Sequence, residues 1–268
     1  MNKVTYIVNT FNREDKVFSA IDSIIKQEGV ILDIIVIDDC SDIDIGDKIN
    51  SLYGDSVTYI KNKINLGLSR SRQLGLELAK TEFVAFLDDD DFLIDNNKTK
   101  RHIDILSSND NVSVVCSNVK FVRGELYTSS NIDFPENLYS HLLKRNGIIY
   151  PSTTTVKKCH VLNVGGFDFK FPRGIDSDVY RRIVKNGYRI FFEKEETVCY
   201  QLEADDKITS YNTISSIKKD ITSNYLVIRK YYRDMFLNPC SLIFRLKVIV
   251  RGLFSMGKLN LINRFFSN

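Results

Sequence analysis

Residues 83–92 read Phe-Val-Ala-Phe-Leu-Asp-Asp-Asp-Asp-Phe. The apolar run Phe83–Leu87 shows no alternation, the pattern of a strand buried on both faces of a sheet. Four carboxylates follow without a break, and neighbouring like charges repel. Read alone, the run allows two structures. One is a solvated loop with an Asp cap before the helix predicted near Lys98. The other is a site where carboxylates meet a positive ligand. Two carboxylates one residue apart can share a divalent cation, and Mg2+ or Mn2+ takes oxygen ligands, often carboxylates plus phosphate oxygens.

Working outward from this run, the first 90 residues alternate strand and helix patterns. Val4–Val8 is a short β-branched run. Glu14–Gln27 places Val17, Ala20, Ile21, Ile24 and Ile25 at helical spacing, with Asn12 as its expected N-cap. Ile34–Ile37 is a second apolar run, Asp44–Tyr53 a weaker helix, Val57–Ile60 a third strand and Gly67–Ala79 a helix. Apolar strands separated by helices predict a parallel sheet covered on both faces. Ligands gather outside the carboxyl ends of such strands, and the polar clusters fall there: Asn9-Thr10, Asp38-Asp39 and Asp88–Asp91.

Beyond residue 95 the alternation is lost. Lys98–Leu106 reads as a helix, Val112–Val122 as a strand, Gly165-Gly166 as a tight turn, and Asp178–Asn186 as a helix closed by Gly187. Residues 213–268 read as mostly helical. The economical division is a catalytic domain over 1–210, in halves 1–95 and 96–210, with a helical extension over 211–268.

Composition narrows the function classes. An apolar fraction of 43% supports a real core, and a net charge of +3 argues against a nucleic-acid partner. Five scattered cysteines without a CxxC pair suggest neither a zinc site nor a disulfide framework, as expected of reduced thiols in a cytoplasmic protein. His102, His141 and His160 lack metal spacing. The N-terminus shows no secretory signal, and no stretch reaches the roughly 18 uncharged apolar residues of a membrane span.

Four ordered motifs carry a resemblance: Val8-Asn9-Thr10-Phe11-Asn12-Arg13, Ile35-Val36-Ile37-Asp38-Asp39-Cys40-Ser41, the stretch Asn65-Leu66-Gly67 through Arg72-Gln73-Leu74-Gly75, and Phe86-Leu87-Asp88 with Asp90. Their order and spacing resemble the nucleotide-sugar-binding half of family 2 glycosyltransferases. The resemblance is strong over residues 3–92 and looser over 160–190. It implies an α/β GT-A fold, a Rossmann-like mixed sheet flanked by helices, with the C-terminal helices as an extension.

The resemblance also implies roles. Asn9, Thr10 and Phe11 fall where the family contacts the nucleoside, with Phe11 in place of the usual Tyr, and Arg13 of the same motif is counted with the donor-binding residues. Asp39, with Asp38 beside it, falls where relatives accept a hydrogen bond from the uracil imide. Asn65, Gly67 and Arg72 belong to the donor site, although Arg70 lies close by and Gln73 replaces the family's Asn. Asp88 faces the ribose or sugar and is a second candidate metal ligand. Asp90 is the expected ligand of Mn2+ or Mg2+. Asp89, counted with the donor-binding residues, and Asp91 are expected to be supporting or solvated.

In the second half, Gly165-Gly166-Phe167-Asp168 resembles the family's G-G-F-D turn. Gly174-Ile175-Asp176-Ser177-Asp178, followed by Arg181 or Arg182 and Gly187-Tyr188, resembles its E-D motif, with Ile175 at the Glu position. Asp176 would be the general base, with Asp178 as runner-up.

The implied activity is metal-dependent, inverting transfer of a hexose from a UDP-sugar to a saccharide acceptor, free or lipid-diphosphate-linked. The setting would be bacterial O-antigen or capsule assembly. The alternative is an inactive nucleotide-sugar-binding or scaffold protein of the same fold, favoured by Ile175. After Asp234 no acidic residue remains, while Arg245, Lys247, Arg251, Lys258 and Arg264 sit in an apolar background. Lys247, Arg251 and Lys258 share one helical face. That face fits peripheral contact with the anionic inner surface of the cytoplasmic membrane, or else packing on the domain or at a homodimer contact.

Overall fold

A computed structural model describes residues 1–202 and 213–266, with side chains in the last helix as far as Lys258. In chain order the first half runs β1 Lys3–Thr10, α1 Glu14–Ile25, β2 Ile31–Asp38, α2 Gly46–Tyr53, β3 Val57–Lys61, α3 Leu68–Leu78, β4 Phe83–Asp88 and β5 Asp91–Leu93. Then follow α4 Lys98–Ser108, β6 Val112–Arg123, β7 Leu126–Ser129, α5 Leu138–Lys144, a 3₁₀ turn at Pro151–Thr153, β8 Thr155–Lys157 and α6 Lys158–Asn163. The chain continues through α7 Ile175–Lys185, β9 Arg189–Gln201, α8 Ile214–Phe236 and α9 Pro239–Phe266.

Two compact units result. The first comprises Met1–Phe134, Ile148–Phe167 and Arg182–Leu202 and holds the sheet; the second comprises Pro135–Gly147, Asp168–Arg181 and the C-terminal helices. The expected boundary at 210/211 lies outside the described residues.

Among the described residues the sheet has nine strands in the order β3-β2-β1-β4-β8-β6-β9-β5, with β7 paired to β6. The expected parallel arrangement holds for β3, β2, β1 and β4. It ends at β8, which joins β4 antiparallel with Ala85 opposite Thr155. The sheet is therefore mixed, as the family resemblance implied. The core on one side of it includes Val4, Tyr6, Val8, Val17, Ile21, Ile24, Val36, Ala85 and Leu87, all within 1% of full burial. The register aligns the ends of the parallel strands: Thr10 lies opposite Asp38, and Asn9 opposite Asp88. Thus the three polar clusters seen in the sequence meet along one sheet margin.

Helix α3 comes unusually close to β1. A Cβ built on Gly75 would sit 2.5 Å from Ile7 Cγ2. Ala would gain about 1 kcal/mol of helix propensity there, but that contact is with a β-branched strand residue that has little room to turn, so the glycine is retained.

Some local expectations change. Asn12 does not cap α1: the helix begins after Arg13 without a side-chain cap. Asn12 instead takes a left-handed φ of 51° and exchanges hydrogen bonds with Asp42. Helix α7 starts at Ile175, three residues before the predicted Asp178, which places Asp176 and Asp178 in its first turn, where carboxylates favour the helix dipole. Its other end is as predicted. Gly187 adopts φ +85°, its N–H bonds the Val184 carbonyl, and the Tyr188 N–H bonds the Ile183 carbonyl, a Schellman closure.

In the second unit, Arg245 is not part of an exposed basic face. It is 1% exposed and donates to the carbonyls of Leu142 and Leu143 and to the side chains of Asn146 and Asn224, so its charge ties α9 to α5 and α8. Lys247, Arg251 and Lys258 are exposed, and so are Ile243, Leu246, Val250, Leu253 and Phe254. No helix among the described residues is long and apolar enough to cross a membrane.

Candidate active site

Strand β4 ends at Asp88 and β5 begins at Asp91, so Asp89 and Asp90 form the turn between them. Two arginines grip this turn from neighbouring elements. Arg72, on α3 and 2% exposed, pairs with Asp88. Arg13, at the start of α1, places Nη1 3.0 Å from Asp89 Oδ1 and 2.9 Å from Asp90 Oδ2. Arg70, the competing candidate, is exposed.

The four aspartates are unequal. Asp88 and Asp90 keep 32% and 22% of their side-chain surface exposed. Asp89 and Asp91 are 5% and 2% exposed, so neither is solvated. Burial pushes the Asp89 carboxyl up to about 6, against the opposing pull of Arg13. Asp90 is also raised, first by burial and then by the charge of Asp88. Asp91 Oδ2 accepts the Ser152 hydroxyl.

Asp39 is committed to its own surroundings. Its Oδ1 accepts from Asn62 Nδ2 (2.9 Å), Leu66 N (2.8 Å) and Ser71 Oγ (3.0 Å), and its Oδ2 from Gly67 N (2.7 Å). These bonds hold the Asn65–Gly67 loop at the start of α3, and Asn65 Oδ1 adds a bond from Gly67 N. A carboxylate has about four acceptor directions, so a nucleobase N–H would have to approach Oδ2. Asp38, fully buried, accepts from Ser41 N at 2.7 Å and from the Tyr59 hydroxyl at 2.6 Å.

At the end of β1, Asn9 Nδ2 is buried with no hydrogen-bond partner among the described residues. Such a donor costs free energy unless something accepts from it. Thr10 is 4% exposed beside it. Phe11 is 45% exposed, so it is not a core aromatic and presents a ring face for stacking. Gln73 has its own function: its Oε1 accepts the Phe167 N–H at 2.9 Å, and a Cβ on Gly166 would meet that oxygen at 2.3 Å. The Gly165-Gly166-Phe167 turn is therefore seated on α3, and Gly166 is favoured there by its φ of +60°.

Asp176 and Asp178 belong to the second unit. Asp178 is fully buried and accepts from Lys230 Nζ at 2.9 Å and the Tyr231 hydroxyl at 2.8 Å, with Arg181 Nη1 at 3.7 Å. Lys230 also bonds Asp168 at 2.8 Å. Asp178 is thus a packing hub, whereas Asp176 is half-buried in the same helical turn. Ile175, at the family's Glu position, is 6% exposed and packs as an apolar residue.

Sequence reasoning missed Ser152. It is 1% exposed and touches both ends of the aspartate turn. Its contacts span 61 and 64 residues of sequence, so no local spacing could have revealed it.

Among the described residues no group of three His, Cys, Asp or Glu side chains could by itself hold a metal ion. The chemistry of the site still fits one. Asp88 and Asp90 are both partly exposed, and the charge of Asp88 raises the pKa of Asp90, a repulsion that a shared cation would relieve. Two carboxylates completed by diphosphate oxygens is a usual arrangement for Mg2+.

The model of the family described as "Glycosyl transferase family 2" matches residues 5–169. The Escherichia coli glucosyltransferase WfgD, named for transfer from UDP-Glc to α-D-GlcNAc-diphosphoundecaprenol, is 25% identical over 85% of this chain and 90% of its own. WfaP, an E. coli protein of the same named activity, is 28% identical over 61% of this chain and 64% of its own length. The mannosyltransferase PcManGT from Pyrobaculum calidifontis, solved with GDP-Man and Mn2+, has the same fold. Its TM-score is 0.66 at 16% identity, over 96% of this chain and 75% of that one. The two clusters on adjacent parallel strands, the arginine-held aspartate turn and the match over residues 5–169 agree: the chain belongs to glycosyltransferase family 2 and has the GT-A fold.

Proposed function

We propose that the chain transfers a hexose from a UDP-sugar to a saccharide on a lipid diphosphate, with inversion, in assembly of a bacterial surface polysaccharide such as an O-antigen or capsule. The observation that carries this reading is the aspartate turn, where a partly exposed carboxylate pair is set by Arg72 and Arg13 at the margin of the parallel strands. The names of WfgD and WfaP supply the class of donor and acceptor. Residues 1–95 act as the donor half and 96–210 as the acceptor half, with 211–268 as an extension.

Asp88 and Asp90 would hold Mn2+ or Mg2+, which when bound supplies Lewis-acid stabilisation of the departing diphosphate. Phe11 offers its face to the base, and Asn9 Nδ2 and the free direction of Asp39 Oδ2 offer polar contacts to the nucleoside. Asp176 accepts the proton of the acceptor hydroxyl as its oxygen attacks the anomeric carbon from the face opposite the leaving group. Asp178, the runner-up, is fully buried and bonded to Lys230 and Tyr231, which supports a packing role for it. PcManGT, solved with GDP-Man, makes the base the discriminating test. Purified protein with Mn2+ is incubated with UDP-, GDP- and TDP-sugars, and nucleotide release is measured. Release from UDP-sugars is expected; release from GDP-sugars alone would overturn the donor assignment.

The exposed face of α9 acts at the cytoplasmic side of the membrane. Ile243, Leu246, Val250, Leu253 and Phe254 line it together with Lys247, Arg251 and Lys258, and each cation near an anionic surface contributes about 1 kcal/mol. In flotation assays the protein is expected to rise with phosphatidylglycerol vesicles and to stay behind with phosphatidylcholine. Equal flotation with both removes the electrostatic part of this reading.

A further inference from the structure

We propose that Ser152 is a positioning residue that closes the aspartate turn and sets the spacing of Asp88 and Asp90. This rests on the donor-site reading above and adds a residue to it.

A hydroxyl has one proton to donate and lone pairs to accept with. Ser152 Oγ uses both functions on the same turn: it accepts the Asp88 N–H at 3.1 Å and donates to Asp91 Oδ2. One atom thereby ties the residue that begins the turn to the residue that ends it, and Asp89 and Asp90 are the intervening positions. The hydroxyl is itself held in place. Within Pro151–Thr153 and the residue after it, Thr153 N bonds the Tyr150 carbonyl at 3.0 Å, and Thr154 N bonds the Pro151 carbonyl at 2.8 Å. The Thr153 and Thr154 hydroxyls return to those same two carbonyls at 2.8 and 2.7 Å. The Thr154 carbonyl then accepts from Phe86 N on β4. From beneath, the ammonium group of Lys98, with no exposed surface, reaches the Ser152 carbonyl at 3.5 Å. The 3₁₀ turn is thus fastened to β4 and α4, and its serine to the aspartates.

This arrangement makes Ser152 more than a packing residue. Arg72 and Arg13 hold the turn from its carboxylates, and a bound cation would compete for those same oxygens. Ser152 holds it through the Asp88 backbone and through Asp91, neither of which a cation at Asp88 and Asp90 would displace. Its restraint therefore persists when the site is filled.

The test is a double-mutant cycle with S152A and D91A, reading Mn2+ affinity in the presence of UDP by titration, together with kcat, KM for the acceptor and Tm. S152A is expected to weaken Mn2+ about tenfold, equivalent to about 1.4 kcal/mol, and to lower kcat while the acceptor KM stays the same. D91A is expected to do likewise, and the double variant to be no weaker than either single one. Ser152→Thr, which keeps the hydroxyl, is expected to recover most of the affinity. If S152A does not fold, D91A and S152T decide by the same constants. Unchanged Mn2+ affinity in a variant with lowered Tm overturns the proposal, as does an additive double variant. A wild-type protein that binds no divalent ion with UDP sinks the donor-site reading along with it; normal wild-type binding beside unaltered variants sinks only this one.

Discussion

Asp176→Asn is expected to lower kcat by about 10²–10⁴-fold, the range that a positioned general base contributes. Donor binding and Tm are expected to stay close to those of the unaltered protein. The amide is nearly isosteric and cannot take the acceptor proton, so the loss appears in turnover rather than in folding. The neighbouring carboxylate provides the contrast. Asp178 is buried against Lys230, Tyr231 and Arg181, so Asp178→Ala takes a buried carboxylate away from the fully buried Arg181 and the partly exposed Lys230. Removing one partner of a buried pair costs about 3–5 kcal/mol. The lower end applies here, because Lys230 is 31% exposed and keeps Asp168. Thermal unfolding and single-turnover kinetics on both variants separate the two roles. Turnover that survives Asp176→Asn would show that the base lies elsewhere.

Asp90→Asn is expected to lower kcat by about 10²–10³-fold, the scale seen when one group stabilising developing charge is removed. It also weakens the dependence of UDP binding on Mn2+. The fold is expected to persist, because Arg13 retains Asp89 at 3.0 Å and β5 remains paired with β9 from Asp91 onward. Isothermal titration of UDP with and without Mn2+ reads the effect directly. A variant in which Mn2+ strengthens UDP binding as much as in the parent would remove Asp90 from the metal site.

Much of this architecture could be read from the sequence, and the reason is local. Residues 3–92 alternate buried strands and amphipathic helices at the periods that backbone geometry imposes, so β1 to β4 and α1 to α3 declare themselves within a few residues. Strand β9 did not, because its segment Glu193–Glu196 is charged and its pairing with β6 is interrupted by register shifts. The division of labour among the four aspartates was only partly legible. The family resemblance singled out Asp88 and Asp90, but the burial of Asp89 and Asp91 depends on Arg13 and Ser152, 76 and 61 residues away in the chain. The separate character of Asp176 and Asp178 follows from partners 52 and 53 residues downstream. A carboxylate in the first turn of a helix looks the same in sequence whether it ends up half-buried or fully enclosed beside an ammonium group.

The close approach at Gly75 has a consequence for how such a protein can change over time. Because α3 rests on β1 with a missing side chain as the spacer, the reach of Arg72 to Asp88 is inherited from the distance between two regular elements. Substitutions at the exposed tip of the β6–β7 hairpin, residues 123–128, can therefore accumulate without disturbing the pairing of Arg72 with Asp88.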